Sequence, residues 1–90
     1  MSDVQVYTTD NCAYCTRAKA LLQKRGITFE EVDVSQDSAK RAWLVKTTGR
    51  RTVPQIFIKG EAIGGSDELY ALDRSGDLAR RLKTEPQNEG

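Results

Sequence analysis

The stretch DNCAYCTRAK, residues 10–19, holds both cysteines of the chain, Cys12 and Cys15, with Ala13 and Tyr14 between them. Three uses are open to such a pair: a structural staple, half of a metal site, or a couple that exchanges electrons with another molecule. A bond between Cys12 and Cys15 closes a tiny loop and removes little entropy from the unfolded chain. Secreted domains that depend on disulfides usually carry four or more cysteines at wide spacing. The staple reading is therefore weak. For zinc, C-x-x-C supplies two of four ligands, and the chain has neither a second such pair nor any histidine. The lack of histidine also excludes a Cys–His catalytic couple. Electron exchange is the reading with most support.

The surroundings of the pair decide the fold. Upstream, Val4 and Val6 alternate with polar neighbours in DVQVYTT, which predicts a short strand. Downstream, Ala18, Ala20, Leu21 and Leu22 fall at helical spacing, and Gly26 supplies a C-terminal cap. ITFEEVDV is rich in β-branched residues and predicts a second strand, and SQDSAK opens a second helix that runs to Gly49. Ala39, Ala42, Trp43 and Lys46 share one face of that helix, with Trp43 expected to pack. Beyond Pro54, Ile56 to Ile58 and Ala62 to Ile63 flank Lys59, Gly60 and Glu61, the pattern of an antiparallel hairpin. SDELYALDRSG predicts a third helix carrying Leu69, Tyr70 and Leu72, and DLARRLK one further turn or two. The polar tail TEPQNEG, 84–90, is expected to be flexible.

A helix that joins the first two strands implies a parallel pair with a right-handed crossover. The hairpin completes a mixed four-stranded sheet with helices on its faces. The expectation is a single α/β domain over residues 1–90 with a thioredoxin fold, since C-x-x-C just after the first strand of a βαβ unit is the thioredoxin-like redox signature.

Composition narrows the function classes. Fourteen basic against thirteen acidic residues leave a net charge of +1, which points to neither nucleic acid nor an acidic membrane surface as partner. No apolar run approaches the roughly 20 residues of a membrane-spanning helix, and MSDVQVYTTDN lacks the basic start and apolar centre of a secretory signal. A soluble, cytoplasmic protein is expected.

At the start of the first helix, residues three apart have Cβ atoms about 5–6 Å from each other, near the span of a disulfide. Asn11 or Cys12 is the expected N-cap. Cys12 lies at the exposed end, where the helix macrodipole favours an anion, and Cys15 lies a turn inside. Cys12 is thus expected to be the attacking thiolate and Cys15 the resolving thiol. The cations available to support it are Arg17 and Lys19 on the helix and Arg50 and Arg51 ahead of Pro54.

Three separated motifs, CAYC at 12–15, TVP at 52–54 and GGSD at 64–67, together resemble glutaredoxins of the small dithiol class, over about Val4 to Leu82. The resemblance implies a thioredoxin fold that binds glutathione and reduces glutathione mixed disulfides and protein disulfides. By the same resemblance Cys12 would form the mixed disulfide with glutathione, and Cys15 would close the intramolecular bond. Tyr14 would line the glutathione groove. Thr52 and Val53 would flank the peptide's cysteine, with the Val53 backbone pairing as in a strand. Pro54 matches the family's cis-proline. Gly64 and Gly65 permit close backbone approach, and Ser66 and Asp67 match contacts to the γ-glutamyl end, near free N–H groups of a helix start. Read as the N-cap, Ser66 lacks a capping-box partner, because Leu69 occupies the third position after it.

Two departures stand out. Ala13 replaces the usual proline, and Thr9 replaces a lysine that many members carry; either Arg50, Arg51 or Arg41 compensates, or glutathione binds more weakly. The partners implied are glutathione and glutathionylated or disulfide-bearing proteins, with the protein acting as a monomer. Two alternatives differ in class. One is a homodimer holding a [2Fe–2S] cluster through two Cys12 thiolates and two glutathione thiolates. The other is a thioredoxin-like electron donor reduced by a flavoprotein, against which GGSD argues.

Overall fold

A computed structural model describes residues 3–82, so the tail expected to be flexible lies outside the described residues. The chain runs β1 (Val4–Thr8), α1 (Ala13–Lys24), β2 (Glu30–Asp33), α2 (Ser38–Thr48), β3 (Gln55–Ile58), β4 (Glu61–Gly64), α3 (Ser66–Ser75) and α4 (Asp77–Leu82). The sheet has four strands in the order β2-β1-β3-β4. β1 is parallel to β2, with Tyr7 opposite Val32, and antiparallel to β3, with Val6 opposite Ile56. β3 and β4 pair antiparallel. The mixed sheet, the crossover helix and the hairpin are those expected from the sequence.

Strand alternation assigns the two faces. Val4 and Val6 of β1 and Ile56 and Ile58 of β3 point to one face, where they meet Ala18, Leu21 and Leu22 of α1, Leu69 of α3 and Leu78 of α4. Each fully buried aliphatic side chain there contributes about 1.5–3 kcal/mol relative to exposure. Phe57 points to the other face and packs with Val34 and Leu44, bordered by Tyr7 and Val32. β1 and β3 are the central strands, so the segments that leave their ends are held by the best-buried part of the molecule. Those segments are the loop into Cys12 and the loop through Pro54.

One expectation is sharpened and one corrected. Ala39, Ala42, Trp43 and Lys46 all lie on the exposed side of α2, and Leu44 is the residue buried against the sheet. Apolar residues fall on both faces of this helix, and the larger ring does not go inside because Trp is rarely fully buried. Trp43 packs all the same: it remains 45% exposed while its ring sits 5.7 Å from that of Tyr7 and 5.8 Å from that of Phe57. The hairpin loop is also shorter than expected. Lys59 and Gly60, at φ +51° and +84°, make the turn, and Glu61 already belongs to β4. Positive φ at both central residues matches the twist of the flanking strands.

Candidate active site

The approach to the cysteines is set by Asn11, whose short polar side chain tolerates the left-handed φ of +55°. The next residue, Cys12, is extended (φ −112°, ψ 106°) and is the N-cap of α1. Its sulfur accepts the backbone N–H of Cys15 at 3.1 Å, so the cap and the expected nucleophile are one atom. The same thiol donates to the carbonyl oxygen of Val53 at 3.7 Å. Cys12 is half-buried and Cys15 only 2% exposed, and both thiols are free. Burial, followed by its hydrogen bond with Cys12, pushes the Cys15 thiol from 9.0 up to about 12, against the opposing pull of the Thr9 backbone and the Lys19 charge. Cys15 is thus the more deeply buried thiol, one turn inside α1 from Cys12.

The Val53–Pro54 peptide is cis, and Gln55 steadies the loop by donating to the Thr52 carbonyl at 2.9 Å. This loop, the start of α1 and the start of α3 enclose a groove of about 200 Å³ beside Cys12. Tyr14, Thr52, Val53, Pro54, Gly65, Ser66 and Asp67 all line it. The seven positions expected to contact glutathione thus come from three separate segments and meet in one place. Tyr14 is 57% exposed, with the Arg17 guanidinium 6.0 Å from its ring centre.

The groove has two further lining residues, Arg50 and Glu68. Glu68 was not foreseen as a site residue, because the helix start was placed one residue late. Gly65 is the N-cap of α3, and Glu68 at the third position accepts the Gly65 N–H at 2.8 Å, so the capping-box spacing is present after all. The signal was legible as Gly65-x-x-Glu68. The other carboxylate oxygen of Glu68 pairs with Arg50 at 3.2 Å, and this hydrogen bond, then that from Gly65, holds the Glu68 carboxyl below its ordinary 4.5. Gly65 comes so close to the proline loop that a Cβ there would sit 3.2 Å from the Pro54 carbonyl oxygen. The Ser66 hydroxyl is buried without a hydrogen-bond partner among the described residues.

The candidate cations divide among different surfaces. Arg50 lies in the groove. Arg50 also lines, with Arg41, Arg51 and Val53, a neighbouring slot of about 230 Å³. Lys19 lines a separate depression together with Cys12 and Cys15. Thr9, in place of the usual lysine, lines that same depression. Among the described residues no helix is long and apolar enough to cross a membrane, and no three His, Cys, Asp or Glu side chains are grouped to hold a metal ion.

The sequence model of the family described as Glutaredoxin matches residues 4–63, which takes in β1, the cysteine pair, α2, the proline loop and the hairpin. The chain belongs to the glutaredoxin family. Glutaredoxin 3 of Escherichia coli K12 is 51% identical over 83 residues, covering 92% of this chain and all of that protein. The solution structure of the glutaredoxin from Brucella melitensis superposes with a TM-score of 0.83 at 49% identity, over 93% of this chain and 91% of that one. The crystal structure of the buckwheat glutaredoxin–glutathione complex superposes with a TM-score of 0.85 at 34% identity, over 90% of this chain and 76% of that one. This glutaredoxin is accordingly a thiol–disulfide oxidoreductase built on a thioredoxin fold.

Proposed function

We propose that this glutaredoxin uses glutathione to reduce glutathione mixed disulfides and protein disulfides, with Cys12 as nucleophile and Cys15 as resolving thiol. One observation carries the proposal: the Cys12 sulfur accepts the Cys15 N–H and donates to the carbonyl of Val53, and Val53 lines a groove with the other six expected contact residues. The Cys12 thiolate attacks the glutathione sulfur of a protein–glutathione disulfide. The sulfur–sulfur bond of the substrate breaks, and the electron pair leaves on the protein sulfur, which takes a proton from solvent. A second glutathione thiolate then attacks the Cys12 adduct, releasing glutathione disulfide and regenerating the thiolate. With a protein disulfide, Cys15 gives up its proton and attacks the Cys12 sulfur of the mixed disulfide, and the second protein thiol departs.

In the groove, Val53 offers its backbone to the extended peptide, and Arg50 offers a cation to a carboxylate. The Ser66 hydroxyl and the free N–H groups at the start of α3 suit the γ-glutamyl end, with Asp67 as acceptor for its ammonium group. Every one of these groups belongs to one chain, which supports action as a monomer. Only two cysteines, three positions apart, suit a reducing, cytoplasmic setting better than a disulfide-stapled secreted one. A [2Fe–2S] cluster does not fit the chain on its own, since Cys12 supplies one accessible sulfur and Cys15 is buried.

The test is reduction of a glutathione mixed disulfide by wild type and both cysteine variants. Cys15→Ser is expected to keep this activity and to lose protein-disulfide reduction, while Cys12→Ser loses both. An active Cys12→Ser variant overturns the reading.

A further inference from the structure

Resolution by Cys15 poses an electrostatic problem. The attacking species is a thiolate, yet the Cys15 sulfur is buried and burial opposes the charge. Some group must offset that penalty while the charge gathers. Lys19 follows Cys15 by four residues, one turn on and on the same face of α1. Both line a depression of about 570 Å³ that Cys12 also lines and that shares no residue with the glutathione groove. The other charged residues lining it are the carboxylates Asp10, Glu31 and Asp33, so Lys19 is its one cation among the described residues.

The ammonium group is held in place. Its Nζ lies 3.0 Å from Glu31 Oε2, and the same oxygen accepts the hydroxyl of Thr8 at 2.9 Å. Thr8 is buried in the central strand β1, directly before Thr9, whose backbone also bonds to Cys15. An exposed ion pair contributes little to stability, but this one is fixed to a rigid strand beside a buried nucleophile.

We infer that Lys19 is a positioning residue for the resolving step, where its ammonium group, anchored by Glu31 and Thr8, stabilises the negative charge on the Cys15 sulfur during its attack on Cys12. The step balances within the mixed disulfide. Cys15 loses a proton, the Cys12–Cys15 bond forms, the bond from Cys12 to the substrate sulfur breaks, and the departing thiolate takes up a proton. The inference rests on the proposed role of Cys15 and adds the group that makes this role workable.

A structural role for the pair, as a tie between α1 and β2, would lower stability and leave the two reductive routes equally affected. The experiment therefore follows release of the second thiol from a preformed Cys12–peptide mixed disulfide at neutral pH. Lys19→Met, which keeps the aliphatic stem, is expected to slow release about fivefold, and Lys19→Arg to restore most of it. The same Lys19→Met change, made on the Cys15→Ser background, is expected to slow glutathione mixed-disulfide reduction clearly less than it slows release, because no Cys15 charge is then left to stabilise. Wild-type release rates in Lys19→Met, or an equal loss on the Cys15→Ser background, overturn the inference. Release from Cys15→Ser as fast as from wild type overturns instead the reading on which it rests.

Discussion

The backbone N–H of Cys15 donates to the sulfur of Cys12 at 3.1 Å, so a single hydrogen bond caps α1 and joins the two redox centres. Capping and chemistry can be separated by substitution. Serine is among the best N-cap residues and alanine among the poorest. Cys12→Ser is expected to unfold at the wild-type denaturant midpoint while losing its redox activity. Cys12→Ala is expected to lose the activity and about 1 kcal/mol of stability as well. Chemical denaturation of the three reduced proteins checks this, and equal midpoints for the two variants would deny the sulfur a capping role.

Cys15 makes the stability depend on pH in the alkaline range. Its thiol titrates near 12 in the folded protein, raised from 9.0 by burial first and by Cys12 second. Between those two values the unfolded chain has released the proton and the folded chain keeps it. The unfolded state then binds fewer protons, so stability falls as pH rises. The contribution is complete below about 9 and is lost progressively toward 12. Lysines and tyrosines titrate in the same range, so the informative quantity is the difference between wild type and Cys15→Ala. That difference in unfolding free energy is expected to shrink steadily as pH rises, and a constant difference would show that the buried thiol is not responsible.

Glu68 links the start of α3 to the proline loop, through Gly65 at 2.8 Å and Arg50 at 3.2 Å. Glutamine can still accept the Gly65 N–H and cannot form the ion pair. Glu68→Gln is therefore expected to stay within about 0.5 kcal/mol of wild type, and Glu68→Ala to lose about 1 kcal/mol with the capping box. The carboxyl is held below 4.5, so its stabilising contribution is present above that value and fades as pH falls through the lower folded value. Thermal unfolding of wild type and Glu68→Gln should converge in acid, and a gap that persists there would assign the effect to packing.

Period and spacing carried the fold because the chain is locally consistent. Val4 and Val6 alternate, the α1 residues Ala18, Leu21 and Leu22 keep to one stripe, and Lys59-Gly60 marks a turn. The site was legible because three short motifs each bring a backbone constraint as well as a side chain: the cap at Cys12, the proline loop and the double glycine. What was not legible depended on which of two nearly equal choices tertiary packing took. In α2, Trp43 and Leu44 offered rival faces: Leu44 is buried against Val34 and Phe57, while Trp43 stacks on Phe57 from the surface. At α3, moving the cap from Ser66 to Gly65 turned Glu68 from a surface residue into a wall of the groove. That Arg41, Arg50 and Arg51 share one slot while Lys19 lies in another depression follows from the chain's path in space, which residue type alone does not encode.

Gly60 and Gly64 separate backbone strain from crowding at the site. Both have positive φ, +84° and +112°, where a side chain is strained by about 1–2 kcal/mol. A Cβ on Gly60 meets nothing within 4 Å, whereas one on Gly64 would lie 2.7 Å from Cγ of Glu68. Gly60→Ala is expected to lose about that backbone cost and keep its activity, since the hairpin turn is remote from Cys12. Gly64→Ala should lose that backbone cost and, by displacing Glu68 and releasing the Gly65 N–H and Arg50 together, about 1 kcal/mol more. Its KM for a glutathione mixed disulfide is expected to rise severalfold with kcat little changed, because the groove is altered and the Cys12 environment is not. Equal KM values for the two variants would mean that the Glu68 bridge has no part in shaping the groove.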